Sequence, residues 1–438
     1  MHKKHRIIAR RTFLKSSMAA VIAPYVVPSS VLGASGRLTM GMIGLGSMGM
    51  RHVKGFLEED DCRIIAVCDV DAERRRAAVG EINKKYANSG CSHYNDFREL
   101  IARGDIDTLC IAVPDHWHAV LALAGIRAGK DIYGEKPLGL TIAEGRAIVE
   151  AVNRYQCVWQ TGSWQRSTDH FRFACELVRN GRIGTLGRVE VGIGPGFKTP
   201  EIRETLYKID PQPIMPVPEE FDYDRWLGPA PWAAYTRKRC HWNFRWILDY
   251  SGGQVTDWGA HHIDIAHWGM DCDDTGPVEV HGKGIFPEDG LWNAAVDYDF
   301  ECLYENGLVM RVASNNHLPQ GVRFIGDGGW AHVTRSGLKT NPADLRQTKI
   351  GPNELHLPRP AGDHRQGHRR DFLHCVKTRK TPITPAEVGQ RSVTVAHLGN
   401  IAMILGRKIR WDPKRELFVN DDSANRMLSR TLRSPWQL

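Results

Sequence analysis

The chain has ten cysteines but no C-x-x-C pair and no cysteine–histidine spacing suited to zinc, so it contains no zinc ribbon and no dithiol redox motif. It has no internal repeat and no low-complexity tract, which excludes solenoids and propellers. It has no apolar run long enough to span a bilayer, because Pro24 and Pro28 interrupt the most apolar stretch, Met18 to Val31. There is no acidic residue in the first 34 positions, where Lys3, Lys4, Arg6, Arg10, Arg11 and Lys15 gather. Without those six charges the formal +8 falls to 52 basic against 50 acidic residues. That is no electrostatic footprint for nucleic acid or an anionic membrane.

Arg10-Arg11-Thr12-Phe13-Leu14-Lys15 resembles a twin-arginine export signal, and Leu32-Gly33-Ala34 offers small residues for cleavage. Residues 1–34 are therefore read as an address, with a basic unstructured N-terminus as the alternative. The expected mature protein is periplasmic or otherwise exported, with no membrane anchor. Twin-arginine substrates cross the membrane folded, so buried thiols such as Cys68 and Cys110 are expected to stay free, without a disulfide framework. The remaining length, in a chain that is 42% hydrophobic, suits two domains, here placed at 35–162 and 163–438.

The first of these opens on an apolar strand ending at Ile43, followed by Gly44, Gly46 and Gly49 in G-x-G-x-x-G spacing and then a helix from Met50. Gly44 allows a tight turn, Gly46 lets backbone approach a pyrophosphate, and Gly49 lets the helix pack against the strand. The diphosphate is expected on the free N–H groups of the helix start, with Ser47 and Met48 in the same loop. A second strand, Arg63 to Val67, leads to Asp69, twenty residues past Gly49, where a carboxylate takes ribose hydroxyls and repels a 2′-phosphate. NAD is thus expected over NADP. The triplet Arg74-Arg75-Arg76 is read as the solvated face of the next helix, the alternative being an arm that turns toward a phosphate.

Strand and helix alternate to about residue 162, which predicts a parallel sheet covered on both faces. The strand Thr108 to Val113 ends in Pro114-Asp115-His116-Trp117-His118, and Asp131 to Gly134 ends in Glu135-Lys136-Pro137. Both loops fall at strand carboxyl ends, where such sheets bind ligands. The glycine loop, Val-Pro-Asp-His-Trp-His and Gly-Glu-Lys-Pro, in that order, resemble the Gfo/Idh/MocA oxidoreductases. The resemblance covers nearly everything after the signal. It implies a second α+β domain on a large, mostly antiparallel open sheet, with a sugar or polyol site facing the nicotinamide. It places Lys136 at the reacting hydroxyl, where an ammonium favours alkoxide character. It sets Pro114, His118 and Glu135 along the cofactor, although His116 and His118 are also placed to cap the following helix.

In the second half, Trp164 and Arg166 follow the strand Val158 to Gly162, where relatives cross into the substrate domain; both are read as substrate-binding, against simple hinge packing. Residues 195–250 carry eight prolines and four tryptophans and no regular pattern. With Arg237, Lys238, Arg239 and His241 they suit a carbohydrate cleft, or else a braced excursion without ligand contact. Asp257 and His261 are four apart, which on a helix is one face, and Asp264 is one turn further. This matches the family's Asp-x-x-x-His pattern, which implies His261 as acid/base with Asp257 raising its basicity and His262 beside the substrate. The same cluster read without the family is a possible zinc site, but no metal is expected. Strands are expected at Val278–Gly284, Ala294–Cys302, Leu308–Ser314 and Val322–Ile325, with helices at Asp371–Thr378 and Glu387–Leu405; His364 and His368 are left unplaced.

The leading reading is an NAD-dependent oxidoreductase acting on a hydroxyl of a sugar, glycoside or polyol, with the cofactor held and recycled in place. The rivals are an NAD-requiring glycosidase working by oxidation, elimination and reduction, and a non-catalytic sugar-binding protein. A homo-oligomer is expected, because one face of the second sheet needs cover. If Asp69 governs the adenosine end, NAD binds the mature protein more tightly than NADP in parallel titrations followed by fluorescence. Equal affinities would assign that end to the arginine triplet.

Overall fold

The computed structural model describes residues 36–194, 212–360 and 364–438. The signal expected at 1–34 and the part of the proline-rich stretch at 195–211 lie outside the described residues, as does the side chain of His364.

Six strands form the first sheet: β1 (Leu38–Ile43), β2 (Cys62–Cys68), β3 (Ser92–Tyr94), β4 (Thr108–Ile111), β5 (Asp131–Gly134) and β6 (Trp159–Thr161). Their order is β3-β2-β1-β4-β5-β6 and every pairing is parallel. The strands are apolar on both faces because helices cover both. Those helices are α1 (Ser47–Phe56), α2 (Ala72–Tyr86), α3 (Phe97–Ile101), α4 (His118–Arg127) and α5 (Ile142–Tyr155). Side-chain caps start three of them: Asp71 accepts from the N–H groups of Glu73 and Arg74 (3.0 and 3.2 Å), Asp96 from that of Arg98 (3.0 Å), and Thr141 from that of Glu144 (3.2 Å). The strand order reverses between β1 and β4, which opens a crevice at their carboxyl ends.

The second sheet has nine strands: β7 (Leu186–Ile193), β8 (Glu279–Ile285), β9 (Asp297–Leu303), β10 (Val309–Ser314), β11 (Gly321–Gly326), β12 (Gly329–Thr334), β13 (Gly337–Asn341), β14 (Ile409–Asp412) and β15 (Leu417–Phe418). It is antiparallel except where β10 runs parallel to β7. One face is apolar: Val189, Val191, Met310, Val312, Val322 and Phe324 pack with side chains of α6 (Asp169–Arg179), α9 (Gly259–Met270) and α11 (Ala386–Leu405). The opposite face is a lattice of charges, with Arg188 on Glu301 (2.8 Å) and Arg311 on Asp299 (2.6 Å). That face satisfies itself through cross-strand ion pairs instead of presenting bare apolar surface. The architecture is the expected one, a Rossmann domain with a second, mostly antiparallel α+β sheet.

Three differences from the sequence reading have physical causes. Strands β12 to β15 lie toward the sheet's two ends and are short, so their alternation, with Ala331 and Val333 of β12 and Ile409 and Trp411 of β14 buried between more exposed neighbours, runs over too few positions to mark them. Helix α10 (His364–Thr378) begins seven residues before the predicted Asp371. Its first turns are polar because His368 is buried among polar partners, with Nδ1 at 2.8 Å from Ser167 Oγ and Nε2 at 2.9 Å from Thr161 O. Further along, Phe372 and Leu373 join the core of the first sheet with Leu38, Met40 and Phe56, so the chain returns to that sheet near its end.

Burial makes several histidines poor bases. It is the largest cause in each case, and it holds His116, His267, His368 and His397 at about 4 and His262 at about 3. Their folded pKa values lie below the unfolded value, so the stability they contribute is present above about pH 6.5 and is lost as pH falls toward 4. Burial acts oppositely on Glu144 and Asp264, raised to about 7 and about 6, and in the same direction on Glu59, Asp69, Asp115, Asp131 and Asp371, but these start from lower unfolded values, whereas the histidines begin to charge near 6.5. The melting temperature followed by circular dichroism is therefore expected to fall steadily between pH 7 and pH 5, and to recover on return to pH 7.

Candidate active site

The glycine loop holds α1 hard against the first sheet. Gly44 has φ +87°, and a Cβ there would lie 2.5 Å from the Ala112 carbonyl oxygen. A Cβ at Gly49 would lie 1.9 Å from the Gly44 carbonyl oxygen, so only glycine lets the helix start this close to β1. Gly46 is the N-cap and supplies no side-chain cap, so the first-turn N–H groups of this ten-residue helix remain available for an anion. The nearest atom to a Cβ at Gly46 is Arg74 Nη1 at 3.2 Å. Space is thus kept over the loop, as close approach of a pyrophosphate requires.

That space is a cavity of about 340 Å³, floored by Gly44, Gly46, Ser47, Met48, Asp69 and Pro114. Asp69 Oδ2 accepts from Leu45 N (2.6 Å) and Oδ1 from Asp71 N (2.9 Å), which ties the glycine loop to the end of β2. Burial raises the Asp69 carboxyl against the opposing effects of Arg74 and these two N–H groups. The solvated face expected of the arginine triplet holds for Arg76 but not for Arg74 and Arg75, which are partly buried. Arg74 lines the cavity, its Nη2 2.5 Å from His241 Nδ1 and its Nε 3.4 Å from Asp71 Oδ2. Arg75 reaches Asn95 Oδ1 (2.9 Å) and Arg76 reaches Glu220 (3.2 Å). The capped start of α2 aims Arg74 inward.

The roof of the cavity comes from far along the chain. Trp226, at the end of α7 (Tyr223–Leu227), lines it together with His241, Trp242, Phe244 and Arg245. From the C-terminus, Trp436 packs edge-on to Trp117 (4.7 Å between rings) and also lines the cavity. The described part of the proline-rich stretch, expected to form a carbohydrate cleft, is therefore mainly a cover for the dinucleotide cavity. Its aromatic residues form a core of their own, with Trp226 stacked near Tyr223 and edge-on to Tyr250. Trp232 is 71% exposed and takes no part.

At the end toward the second sheet, Lys136 Nζ donates to Asp257 Oδ1 and to the Asp257 carbonyl oxygen (3.0 Å). Asp257 closes the one-turn helix α8 (Gln254–Asp257), and its Oδ2 is 3.4 Å from Arg245 Nε. Burial alone would raise the Asp257 carboxyl, but Lys136 and Arg245 outweigh it and hold it at about 2. Beside Lys136, Glu135 accepts from or is bridged by His52 Nε2 at 2.7 Å. Burial would raise Glu135 too, yet His52 and Lys136 keep it below the usual carboxylate range.

His261 lies on α9, past the break at Trp258 that separates α9 from α8. The expected partnership with Asp257 is absent, because the aspartate is engaged by Lys136 and Arg245. His261 Nδ1 is buried with no hydrogen-bond partner, and Trp164 stands edge-on at 6.3 Å. Burial first, then Lys136 and Arg335, depress the imidazole well below its ordinary value, where a carboxylate partner would have raised it. It is therefore neutral near pH 7.

Three other expectations are corrected. Arg166 is wholly inside the second domain, gripped by Asp264 (Nε to both oxygens, 3.0 Å) and Asp273 (2.6 and 2.7 Å). Its guanidinium is needed to neutralise the buried Asp264, so it does not face substrate, and Asp264 is committed to Arg166 and not to His261. His262 is fully buried, with Gln165 Nε2 3.3 Å from its Nδ1. His118 does not line the cavity; its ring bridges the carbonyl oxygens of Pro137 (2.5 Å) and Val113 (3.0 Å), bracing the two strand-end loops against each other. His116 is likewise turned away, to Trp226 O at 3.0 Å. Residues missed from the sequence are Arg245, Arg335, Arg365 and Trp436, none of which sits in a motif; Arg74 enters the sequence reading only as the alternative to a solvated face. Among the described residues no cluster of metal ligands is present.

An uncapped helix start behind three glycines, at the switch point of a parallel sheet, defines an NAD-binding oxidoreductase fold, and sequence comparison agrees. Residues 38–163 match the oxidoreductase-family NAD-binding Rossmann fold, and residues 170–438 match the family's C-terminal alpha/beta domain. The chain belongs to the GFO/IDH/MocA oxidoreductase family. It is similar to inositol 2-dehydrogenase of Salmonella typhimurium (31% identity over 182 residues, 40% of this chain and 53% of that protein). It is also similar to a glycosyl hydrolase family 109 protein of Shewanella amazonensis (33% over 174 residues, 34% and 38%). The chain thus spans about half the length of the inositol dehydrogenases it matches. In fold it resembles the aldose-aldose oxidoreductase from Caulobacter crescentus crystallised with glycerol, at 18% identity and TM-score 0.63 over 85% of this chain and 99% of that one.

The two inner glycines separate fold from binding. Gly49→Ala is expected to lower the melting temperature and abolish NADH binding, since helix and strand must part. Gly46→Ala, at φ −65° and meeting only the end of a flexible arginine, is expected to keep the melting temperature while weakening NADH binding at least about tenfold, as read by nicotinamide fluorescence.

Proposed function

We propose that this protein is an NAD(H)-dependent oxidoreductase acting on a hydroxyl of a sugar, glycoside or polyol, with the dinucleotide retained through turnover. The observation that carries this reading is the Lys136–Asp257 pair at the end of a cavity shaped for a dinucleotide, with an unpartnered neutral histidine just beyond it. Bound NAD would supply the hydride acceptor, and the residues around the cavity fit it. Gly46 and the α1 N-terminus suit the diphosphate, and Asp69 suits the ribose.

The chain's own residues then have separable tasks. Neutral His261 accepts the proton of the substrate hydroxyl. Lys136 keeps a positive charge where alkoxide character develops, and Asp257 fixes its position through two acceptors. His118 keeps the loop that carries Lys136 in register with the loop after β4. Trp164 offers a ring face to the substrate. The roof formed by Trp226, Phe244 and Trp436 excludes water and slows release of the dinucleotide.

Retention and export belong together in this proposal. The twin-arginine signal read at 1–34 implies a folded, preloaded protein outside the cytoplasm, where free NAD is scarce, so the cofactor must be reoxidised in place. A homo-oligomer is also proposed; pairing across the charged face of the second sheet would make it polar and salt-sensitive. The similarity to glycosyl hydrolase family 109 supports a second reading, hydrolysis through transient oxidation of a sugar carbon. The two part on products: oxidised sugar in the first case, and a released sugar with unchanged oxidation level in the second.

The test is a desalted preparation of the full chain. Nucleotide is expected to travel with the protein, and a sugar substrate is expected to raise absorbance at 340 nm without added NAD. His261→Ala is expected to cut that rate by about 10²–10⁴-fold while leaving nucleotide bound. Because the imidazole is already neutral, the wild-type rate should hold level as pH falls through 6.5 and decline only at lower pH. An empty preparation, or a His261 variant with wild-type turnover, would sink the reading.

A further inference from the structure

Beyond His261 the protein gathers positive charge that no carboxylate among the described residues pairs with. Arg335 occupies the turn between β12 and β13, and Arg365 the first turn of α10. Their guanidinium carbons lie 4.8 and 4.7 Å from the centre of the Trp164 ring. Arg335 also lies 4.1 Å over Trp258, the residue between Asp257 and His261 in the helix break. Two cations brought to one indole repel each other, and burial adds to the cost. Both effects are visible in Arg335, where burial and then Arg365 push the guanidinium down to about 10.

The chain handles its other enclosed arginines differently. Arg166 is matched by Asp264 and Asp273, and Arg146 by Glu387 and Glu416. Among the described residues, no carboxylate lies within ion-pair distance of Arg335 or Arg365. Arg335 Nε donates to Gln165 Oε1 (3.0 Å), a neutral acceptor, and Arg365 Nε is buried with no acceptor. The carboxylates that act on Arg335 are committed elsewhere, Asp257 to Lys136 and Arg245 and Glu135 to His52. The neighbouring imidazoles, His261 and His262, are neutral and supply no negative charge. Neither arginine lines the dinucleotide cavity, so the phosphates of a cofactor there do not explain them.

What is missing is an anion, at hydrogen-bonding reach of two forked donors and beside the aromatic face next to His261. We propose that the substrate is an anionic carbohydrate, whose carboxylate, sulfate or phosphate is held by Arg335 and Arg365 while its hydroxyl faces His261. This rests on the hydride-transfer reading for the hydroxyl but not for the anion. A neutral inositol or aldose would leave both guanidinium groups desolvated and unmatched, so charge at this position separates substrates.

The experiment compares matched sugars on the NAD-loaded full chain by calorimetry, with absorbance at 340 nm recorded in parallel. Galactose is set against galacturonate, galactose 6-sulfate and galactose 6-phosphate, and glucose against the same three derivatives. At least one anionic arm is expected to bind about tenfold or more tightly than its neutral parent, and the strongest arm identifies the group. Arg335→Gln and Arg365→Gln are each expected to reduce that preference about tenfold, as loss of a charge-assisted hydrogen bond does, without changing NADH fluorescence. Equal binding of neutral and anionic sugars overturns the inference, as does a preference that survives both substitutions. The wild-type comparison decides by itself if a variant does not fold. Arginine-dependent binding of an anionic sugar with no change at 340 nm supports the anion site and removes hydride transfer. Oxidation of neutral and anionic sugars alike does the reverse.

Discussion

The Lys136–Asp257 ion pair is the constraint on which the arrangement of the site depends. Its two side chains are only 10% and 13% exposed, so neither charge can be left to water. A buried pair of this kind is not a simple gain in stability, because desolvation opposes the attraction. Its effect is positional. Lys136 is carried by the loop after β5 in the first sheet, and Asp257 closes a one-turn helix above the second. Taking either partner away would strand the other charge, at a cost of about 3–5 kcal/mol. The loop after β5 is thereby tied to the helix that precedes His261, with the glycine loop, Lys136 and Asp257 lining a single cavity.

That placement gives neighbouring charges different states. Asp257 is held as a carboxylate by Lys136 and Arg245, while His261, a few residues on, is kept neutral by burial and by the same lysine. Groups driven apart in this way are the usual starting point for dividing acid, base and electrostatic roles. The cover over the cavity follows a separate logic. Residues 221–250, with Trp292, make an aromatic cluster separate from the sheet cores, while Trp436 reaches the same cavity from the other end of the chain by packing on the core of the first sheet. A roof with its own core can lie on the cavity without disturbing the sheet beneath.

Three failures of the sequence reading share one cause. Arg166, His262 and Asp264 are polar residues in a promising neighbourhood, and helical spacing placed two of them near His261. Spacing reports which face of a helix a residue shares, not what that face meets. Here α9 is buried on all sides, so its polar residues answer to internal partners: Asp264 to Arg166 and His262 to Gln165. Within the arginine triplet, the reading of Arg74 failed for the opposite reason. A charged run on a helix is ordinarily solvated, as Arg76 is, and only His241, more than a hundred positions away, holds Arg74 against the cavity.

What the sequence determined by itself was local and periodic. The glycine turn, the alternation of buried strands and helices, and the strand-end loops that carry Pro114 and Glu135-Lys136 depend on backbone sterics and on apolar repeats of two or 3.6 residues, which neighbouring residues encode. Tertiary structure alone decided which charges pair. Asp257 met Lys136 across 121 positions, not His261 four away, and Arg335 met Arg365 with no carboxylate between them among the described residues. The fate of a charged side chain is set by whichever opposite charge shares its low-dielectric surroundings, and that proximity exists only once the chain has packed.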